Sequence, residues 1–243
     1  MYQAFAEYYD RIFPVSTSQI DFVRTVTAAV SAHTLLDIGC GTASLLLAVE
    51  HSLDRAAGID LDEAMIAVAG RKAEVSGSRA ELLCANMLEV GELFPPESFD
   101  VVLCMGNTIA HLGSERELSA FIADLFTILS PGGMFVIQGI NYRNISADER
   151  FAFPPIRAGD LSFTRSYLPV EGENRLMFTT ELASGDRVLF RGRTPHTPYY
   201  AGQLERICSS VGFSDLHSYG DFNRSAFTDE SFPLVVTGMK PGC

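Results

Sequence analysis

Two glycines and a carboxylate in the first quarter of the chain have the types and spacing of a nucleoside-binding site. The stretch LLDIGCGTA, residues 35–43, places Gly39 and Gly41 directly after an apolar run. Glycine lets the backbone turn sharply and lets a ligand approach with no Cβ in the way. Asp60 follows about 20 residues later, where dinucleotide-binding folds hold ribose hydroxyls with a carboxylate. These residues favour a ligand that contains adenosine.

Asp37 distinguishes between the two common ligands of this kind, NAD and S-adenosylmethionine. It lies beside the glycine loop, where a dinucleotide would place its pyrophosphate, and a carboxylate repels that group. S-adenosylmethionine instead brings an ammonium and a sulfonium to this place. Ser44 also stands where an NAD-binding loop has its third glycine or alanine. Charge therefore favours S-adenosylmethionine, and an NAD-dependent oxidoreductase and a non-catalytic cofactor-binding protein stay as alternatives.

The elements that must position these residues alternate between strands and helices as far as residue 140. Apolar runs predict strands at 34–39, 55–60, 80–85, 98–106 and 133–140. Helical stretches at 44–51, 63–75 and 115–129 separate them, the last with Ser114 as its N-cap. Such alternation is typical of a doubly wound α/β fold, in which a parallel sheet is covered on both faces.

The pattern changes after residue 145. Three strand-like runs at 162–170, 175–182 and 187–193 are separated by short turns and predict an inserted antiparallel meander. A helix at 199–211 that ends at Gly212, and strands at 213–220 and 232–240, complete the chain. We interpret residues 1–243 as one domain. It comprises a helical lid (1–30), a cofactor-binding sheet (31–145 and 197–243) and a β cap (146–196).

Charge and cysteine usage limit the partners. The net charge is −12, and no run of Lys or Arg offers a basic face, which disfavours nucleic acid and anionic membranes. A small neutral or cationic substrate is easier to accommodate. Five cysteines without a CxxC pair predict a reducing cytoplasm and no structural metal. We see neither a signal peptide nor an apolar run of transmembrane length, and we expect a soluble protein.

Five segments in order resemble a known family. LLDIGCGTA, GIDLDEAM, ANMLEV, FDVVLCMGN and LSPGGMFVI are similar to the ordered motifs of class I S-adenosylmethionine-dependent methyltransferases, over about residues 34–140. The resemblance implies a Rossmann-like, seven-stranded, mostly parallel sheet whose last strand, from 213–240, is antiparallel. It also implies S-adenosylmethionine as the cofactor.

The resemblance assigns cofactor roles to individual residues. Asp60 would hold the ribose, although its place before a helix also suits an N-cap. Asn86 stands where many relatives have Asp and would meet the adenine edge, unless it is only a turn residue. Met65 is as typical of a core position as of an adenine contact. The full predicted cofactor set is Tyr2, Tyr9, Asp37, Gly39, Cys40, Gly41, Asp60, Leu61, Met65, Asn86, Met87, Met105 and Gly106.

Two further segments resemble small-molecule N-methyltransferases. GNTIAHL (106–112) and INY (140–142) are similar to stretches in glycine and sarcosine N-methyltransferases, and the Pro-Pro motif of enzymes that methylate nucleic-acid bases is missing. YQAFAEYYDRIF (2–13) is similar to the lid of amino-sugar N-methyltransferases. Tyr2 and Tyr9 would then close over the cofactor, where a π face suits a sulfonium. Alternatively, they pack an amphipathic helix onto the sheet.

The predicted reaction is methyl transfer to a nitrogen or oxygen of a small metabolite. It needs an in-line nucleophile, exclusion of water and, for an amine, a proton acceptor. His111 is the predicted base, Asn107 would orient the acceptor, and Tyr142 completes the catalytic set; a purely structural His111 stays an alternative. The stretch RGRTPH (191–196) would reach an acidic group on the substrate or form a solvated strand end. The cap would cover the pocket or support a homodimer.

Overall fold

The structure is a computed structural model that describes residues 3–145 and 149–242, so the predicted cofactor contact Tyr2 lies outside the described residues. Helices α1 (Gln3–Ala6), α2 (Tyr9–Ile12) and α3 (Thr17–Ala29) come first. Strands β1 (Thr34–Ile38), β2 (Arg55–Asp60), β3 (Glu81–Cys84), β4 (Phe99–Cys104) and β5 (Leu129–Ile140) alternate with α4 (Ser44–Val49), α5 (Glu63–Ser76), α6 (Val90–Leu93) and α7 (Glu115–Ile128). Strands β6 (Phe151–Ala152), β7 (Ile156–Ala158), β8 (Leu161–Pro169), β9 (Leu176–Ser184) and β10 (Arg187–His196) precede α8 (Ala201–Val211), β11 (Ser214–Tyr219) and β12 (Pro233–Met239).

The main sheet has seven strands in the order β11-β12-β5-β4-β1-β2-β3. The five strands β1 to β5 are parallel, and β12 pairs antiparallel with both β5 and β11. The predicted α/β fold class, with an antiparallel strand from 213–240, is confirmed. One apolar cluster packs on each face of this sheet, which is why its central strands are apolar throughout.

Local sequence signals explain where the helices begin. The Ser114 hydroxyl accepts from the Glu117 amide and caps α7, as predicted. The Asp62 carboxylate accepts from the Ala64 amide at 2.8 Å and caps α5. No helix among the described residues has the length and apolarity needed to cross a bilayer.

β5 differs from the prediction by beginning four residues earlier, at Leu129 instead of residue 133. Leu129 pairs with Phe99, and the register then shifts before Val101 pairs with Met134. Gly132, at φ +81°, and Gly133 allow this irregularity, because a Cβ on Gly133 would lie 2.8 Å from the Asp100 carbonyl oxygen. The SPGG segment (130–133) is therefore an irregular part of the strand, whereas the sequence pattern began the strand only at residue 133.

The inserted sheet has the order β10-β9-β8-β6, and β7 also pairs with β8. Its three long strands are the predicted meander, and the strands of this cap lie between residues 151 and 196. The sequence pattern missed β6 and β7, which are two and three residues long. A third apolar cluster joins the cap to α1, α2 and α5, so the N-terminal segment lies between cap and main sheet.

Candidate active site

A cavity of about 620 Å³ lies beyond the carboxyl ends of β1 and β4, between the main sheet, the N-terminal segment and the cap. This is where open α/β sheets bind ligands. Eight of the predicted site residues line it: Tyr9, Asp37, Gly39, Cys40, Met105, Gly106, Asn107 and His111. The structure thus brings members of both predicted groups, cofactor-binding and catalytic, to one cavity, whereas Gly41 and Asp60 are not among the residues that line it.

The glycine loop is shaped by close approach of its neighbours. The amides of Gly39 and Cys40 both donate to the Ile59 carbonyl, at 2.8 and 2.9 Å, which folds the loop back over β2. Gly39 has φ +72°, and a Cβ there would lie 2.6 Å from the Thr108 side chain. Gly41 has φ +56°, and a Cβ there would contact the Tyr9 ring at 3.5 Å. The loop therefore needs glycine for conformation at both positions, and for space at Gly39.

Asp37 lies at the end of β1 with 3% of its surface exposed, and it lines the cavity. Its Oδ1 has no hydrogen-bond partner among the described residues. Burial raises the pKa of this carboxyl to about 7, and the nearby Asp60 adds to the rise. An unpartnered, buried carboxylate oxygen beside a cavity fits a cationic ligand and is hostile to a diphosphate.

Asp60 is held by backbone amides at the end of β2. Its Oδ2 accepts from the Gly41 amide at 2.8 Å, and its Oδ1 accepts from the Asp62 amide at 2.9 Å. Burial raises the pKa of the carboxyl, while these two hydrogen bonds lower it. Asp62, not Asp60, is the N-cap of α5, so the alternative role considered for Asp60 is wrong.

The other predicted adenine contacts lie outside the cavity. Leu61 is 71% exposed, and Met65 is buried in the cluster that joins the N-terminal segment to the cap. Asn86 accepts from the Leu88 amide at 3.0 Å and so shapes its own turn, next to Met87. The pairing of Asp60 with Cys84 still places this turn at the same edge of the sheet as the Asp60 carboxylate.

Asn107 is buried, and both the nitrogen and the oxygen of its side-chain amide form hydrogen bonds. Its Nδ2 donates to the Tyr142 hydroxyl at 2.9 Å and lies 3.4 Å from the Tyr167 hydroxyl, and its Oδ1 accepts from the Ile140 amide at 3.0 Å. Tyr142 does not line the cavity but lies behind Asn107. These contacts fix the turn after β4, which carries His111.

His111 faces the cavity from the short 3₁₀ helix Thr108–His111. The His111 side chain is exposed to the cavity, and partial desolvation by the surrounding protein lowers its pKa, which favours the neutral imidazole that can accept a proton. The ring of His196 packs edge-on against it, with centroids 4.6 Å apart. Burial lowers the pKa of His196 to about 3, and its Nδ1 lies 2.8 Å from the Tyr167 hydroxyl. Two neutral imidazoles therefore lie side by side at this end of the cavity.

Sequence reasoning left two roles open for RGRTPH and missed Arg165 and Tyr167. In RGRTPH, the exposed Arg191 pairs with Glu181 at 2.7 Å, as a solvated strand end would, whereas His196 is buried and lines the cavity. Arg165 and Tyr167 also line it, and only their alternation with Phe163 along β8 could have indicated this.

The N-terminal segment is fastened to the glycine loop by Asp10, which the sequence analysis also missed. Its Oδ1 accepts from the hydroxyls of Thr42 and Ser44, and its Oδ2 accepts from Lys72 Nζ at 2.6 Å. Tyr9, the preceding residue, is half-buried with its ring against Gly41, and desolvation raises the pKa of its phenol to about 12. The segment thus covers the loop with a neutral aromatic side chain.

Comparisons with known proteins agree with this geometry. Residues 35–133 match the family model of a methyltransferase domain. A protein of Geobacillus sp. (strain WCH70) that is assigned as a methyltransferase is 30% identical, over 98% of this chain and 99% of its own length. A dTDP-3-amino-3,6-dideoxy-alpha-D-glucopyranose N,N-dimethyltransferase of Streptomyces fradiae is 27% identical, over 81% of this chain and 76% of its own. The solved structure of an S-adenosylmethionine-dependent methyltransferase from Clostridium acetobutylicum ATCC 824 has a TM-score of 0.82 at 16% identity, and the match covers 100% of this chain and 99% of that one.

Fold and site together define a Rossmann-like transferase that uses a nucleoside cofactor. The chain belongs to the class I S-adenosylmethionine-dependent methyltransferases. It is a methyltransferase enzyme with S-adenosylmethionine as its cofactor, which confirms the predicted cofactor and the choice against NAD. The unpartnered Oδ1 of Asp37 and the side-chain-free surface at Gly39 fit this cofactor.

Proposed function

We propose that the enzyme methylates a nitrogen or an oxygen of a small metabolite, and that an amine is the favoured acceptor. The observation that carries this proposal is His111, a neutral imidazole on the wall of the same cavity as Asp37 and the glycine loop. A cavity of about 620 Å³ suits a small molecule. The Streptomyces fradiae relative is named for methylating an amino sugar, which supports nitrogen as the accepting atom.

In this proposal, the donor lies along the carboxyl ends of β1, β2 and β4. The Asp37 carboxylate attracts its positive charge, the Gly39–Gly41 backbone contacts its methionine part, and Asp60 holds the ribose. Cys40, Met105 and Gly106 complete the wall near the sulfur, and Tyr9 covers it. Contacts of the adenine with Leu61, Met65, Asn86 and Met87 remain predictions.

Bound S-adenosylmethionine supplies an electrophilic methyl group on a good leaving group, so the protein has to position the acceptor, keep water out and manage one proton. His111 takes that proton from the attacking amine or hydroxyl. Asn107 holds the His111 turn in place through its bonds to Tyr142 and Ile140. We therefore assign Asn107 and Tyr142 as positioning residues.

The test is binding followed by turnover. Calorimetry with S-adenosylmethionine and NADH should show binding of the methyl donor alone. Methyl-deuterated donor should then label a member of a panel of amines, amino acids, amino sugars and phenols, detected by mass spectrometry. Donor binding with no labelled product over the whole panel would contradict the proposed reaction. Labelling of phenols alone would favour oxygen over nitrogen.

A further inference from the structure

We propose that Arg165 forms an anion-binding site in the cap, which holds a carboxylate or phosphate group of the methyl acceptor. This inference rests on the proposed function, because it names the chemical class of the acceptor. The enzyme would then take a small amine or hydroxy compound that carries an anionic group at a distance from the accepting atom, and not the neutral or cationic substrate that the net charge alone favours.

Arg165 lies in the middle of the cap surface that faces the cavity. Phe163, Arg165 and Tyr167 alternate along β8, and all three line the cavity. On β9, Thr180 is the register partner of Arg165 and also lines the cavity. The guanidinium is thus placed on a wall that otherwise presents aromatic rings and a hydroxyl.

The charge of Arg165 is not neutralised by the part of the chain that the structure describes. Its Nε is buried without a hydrogen-bond acceptor, and no described carboxylate lies within ion-pair distance. The guanidinium carbon lies 4.9 Å from the Phe153 ring centre and 5.9 Å from that of Phe13. Ring faces compensate only part of the cost of burying a cation.

Other arginines of this acidic protein show what an arginine without a ligand does. Arg11, Arg55, Arg71, Arg191 and Arg206 each pair with a carboxylate. The described arginines without an ion pair, such as Arg187 and Arg193, are exposed to water, whereas Arg165 is half-buried. With 30 acidic residues against 18 basic ones, carboxylates are abundant. Arg165 lines a ligand cavity and has no such partner. The paired N–H donors of a guanidinium match the oxygens of carboxylate and phosphate groups. An anionic ligand therefore suits Arg165 as the partner that the described chain does not supply.

The surroundings of Arg165 assign this anion to the acceptor and not to the methionine carboxylate of the donor. Phe153, the nearer ring, packs with Tyr167, Tyr142 and Ala110, around the turn that carries His111. The glycine loop and Asp37 belong to the main sheet, on the opposite side of the cavity from the cap. An acceptor held by Arg165 would therefore lie across the space in front of His111.

Calorimetry with three ring probes tests this site in protein saturated with S-adenosylhomocysteine. Benzoate and phenyl phosphate carry an anion, and benzyl alcohol is their neutral counterpart. We expect at least one anionic probe to bind about tenfold or more tightly than benzyl alcohol, since hydrogen bonds to a charged group gain this much. The stronger of the two anions identifies carboxylate or phosphate as the natural group.

Substitutions test whether Arg165 is the residue that causes the preference for the anionic probes. Arg165→Gln should remove the preference for the anion, and Arg165→Lys should keep part of it. Arg191→Gln is the matched control, because Arg191 lies on the same cap but is exposed and paired with Glu181. It should keep the full preference. Circular dichroism and the melting temperature show whether each variant is folded.

Three outcomes would overturn the proposal. Equal binding of all three probes to the wild-type protein would do so without any variant. Preference retained in a folded Arg165→Gln protein would place the anion elsewhere. Weaker binding of S-adenosylhomocysteine to Arg165→Gln, with the probe preference intact, would assign the arginine to the donor. Failure of the wild-type protein to bind S-adenosylhomocysteine would instead contradict the donor site, and the probes can then be compared on the free protein.

Discussion

The two ends of the cavity differ in how far apart in the sequence their residues lie. At the proposed donor end, Asp37, Gly39 and Gly41 lie within five consecutive residues, at the end of β1 and in the loop that follows, and backbone bonds to Ile59 hold this loop against β2. At the acceptor end, the turn carrying His111, the β8 residue Arg165 and the β10 residue His196 meet only because the cap folds over the sheet. A short motif therefore builds the proposed donor site, whereas the proposed acceptor site depends on long-range packing. Substitutions at each end should change different measured quantities.

The largest effect is expected at His111. His111→Gln removes the proton acceptor, so kcat should fall about 100-fold or more, while the Kd of the donor stays unchanged. Single-turnover labelling and donor calorimetry measure the two quantities separately. His217→Gln is the control, because His217 is exposed and bonded to Asp215. A variant with unchanged kcat would leave His111 with a structural role only.

At the donor end, Asp37→Asn should weaken donor binding by about 10- to 100-fold at pH 8, with little further loss in kcat at saturating donor. With a pKa of about 7, wild-type Asp37 becomes protonated as the pH falls below 7. Donor affinity of the wild-type protein should therefore decrease below that pH, and the variant should lack this dependence. If donor affinity changed with pH in the same way in both proteins, Asp37 would not be the group that binds the donor's positive charge.

The same carboxyl makes a prediction about stability. Its pKa rises on folding from 3.8 to about 7, so between these values the folded chain binds more protons than the unfolded chain. The free energy of unfolding should therefore decrease as the pH rises through this window, as far as Asp37 contributes. Asp37→Asn should raise the melting temperature of the ligand-free protein more at pH 8 than at pH 5. An equal change in melting temperature at both pH values would contradict a cost of burying the charged Asp37 carboxylate.

Tyr142 should have a smaller effect, and one confined to the acceptor end. Tyr142→Phe removes the hydroxyl that Asn107 Nδ2 donates to, and which lies 3.1 Å from the Tyr167 hydroxyl. We expect kcat to fall about 3- to 10-fold and stability to decrease by about 1 kcal/mol, with donor affinity unchanged. Turnover and thermal unfolding measure both. A loss of donor affinity as large as the loss in kcat would contradict a positioning role.

This comparison also explains how far the sequence alone was informative. The parallel strands of the main sheet and the glycine loop were predicted from local patterns, because apolar runs, glycines and Asp60 lie at fixed spacings. The seven-stranded sheet with an antiparallel last strand was predicted from the family resemblance. Arg165 carries no such signal, since its neighbours Phe13, Phe153 and Thr180 come from three separate segments. Asn107 and Tyr142 were predicted as catalytic from their segments, and only the packing shows that both lie around the turn of His111. The cytoplasmic location and the homodimer remain predictions.

The smallest effect is expected where the two ends meet, at the N-terminal segment. Asp10 bonds to Thr42, Ser44 and Lys72 and holds Tyr9 over the glycine loop, and the partners on Asp10 lower its pKa. Asp10→Asn keeps the shape but weakens the ionic contact to Lys72, so the dissociation rate of the donor should rise about 3- to 5-fold, in line with about 1 kcal/mol for a half-exposed ion pair. Stopped-flow displacement of a fluorescent donor analogue measures this rate. Asp160→Asn is the matched control, since its pair with Arg11 also fastens the segment but lies at the surface, on the cap side. If both variants release the donor equally fast, the segment acts through its overall docking and not through the contact beside the loop.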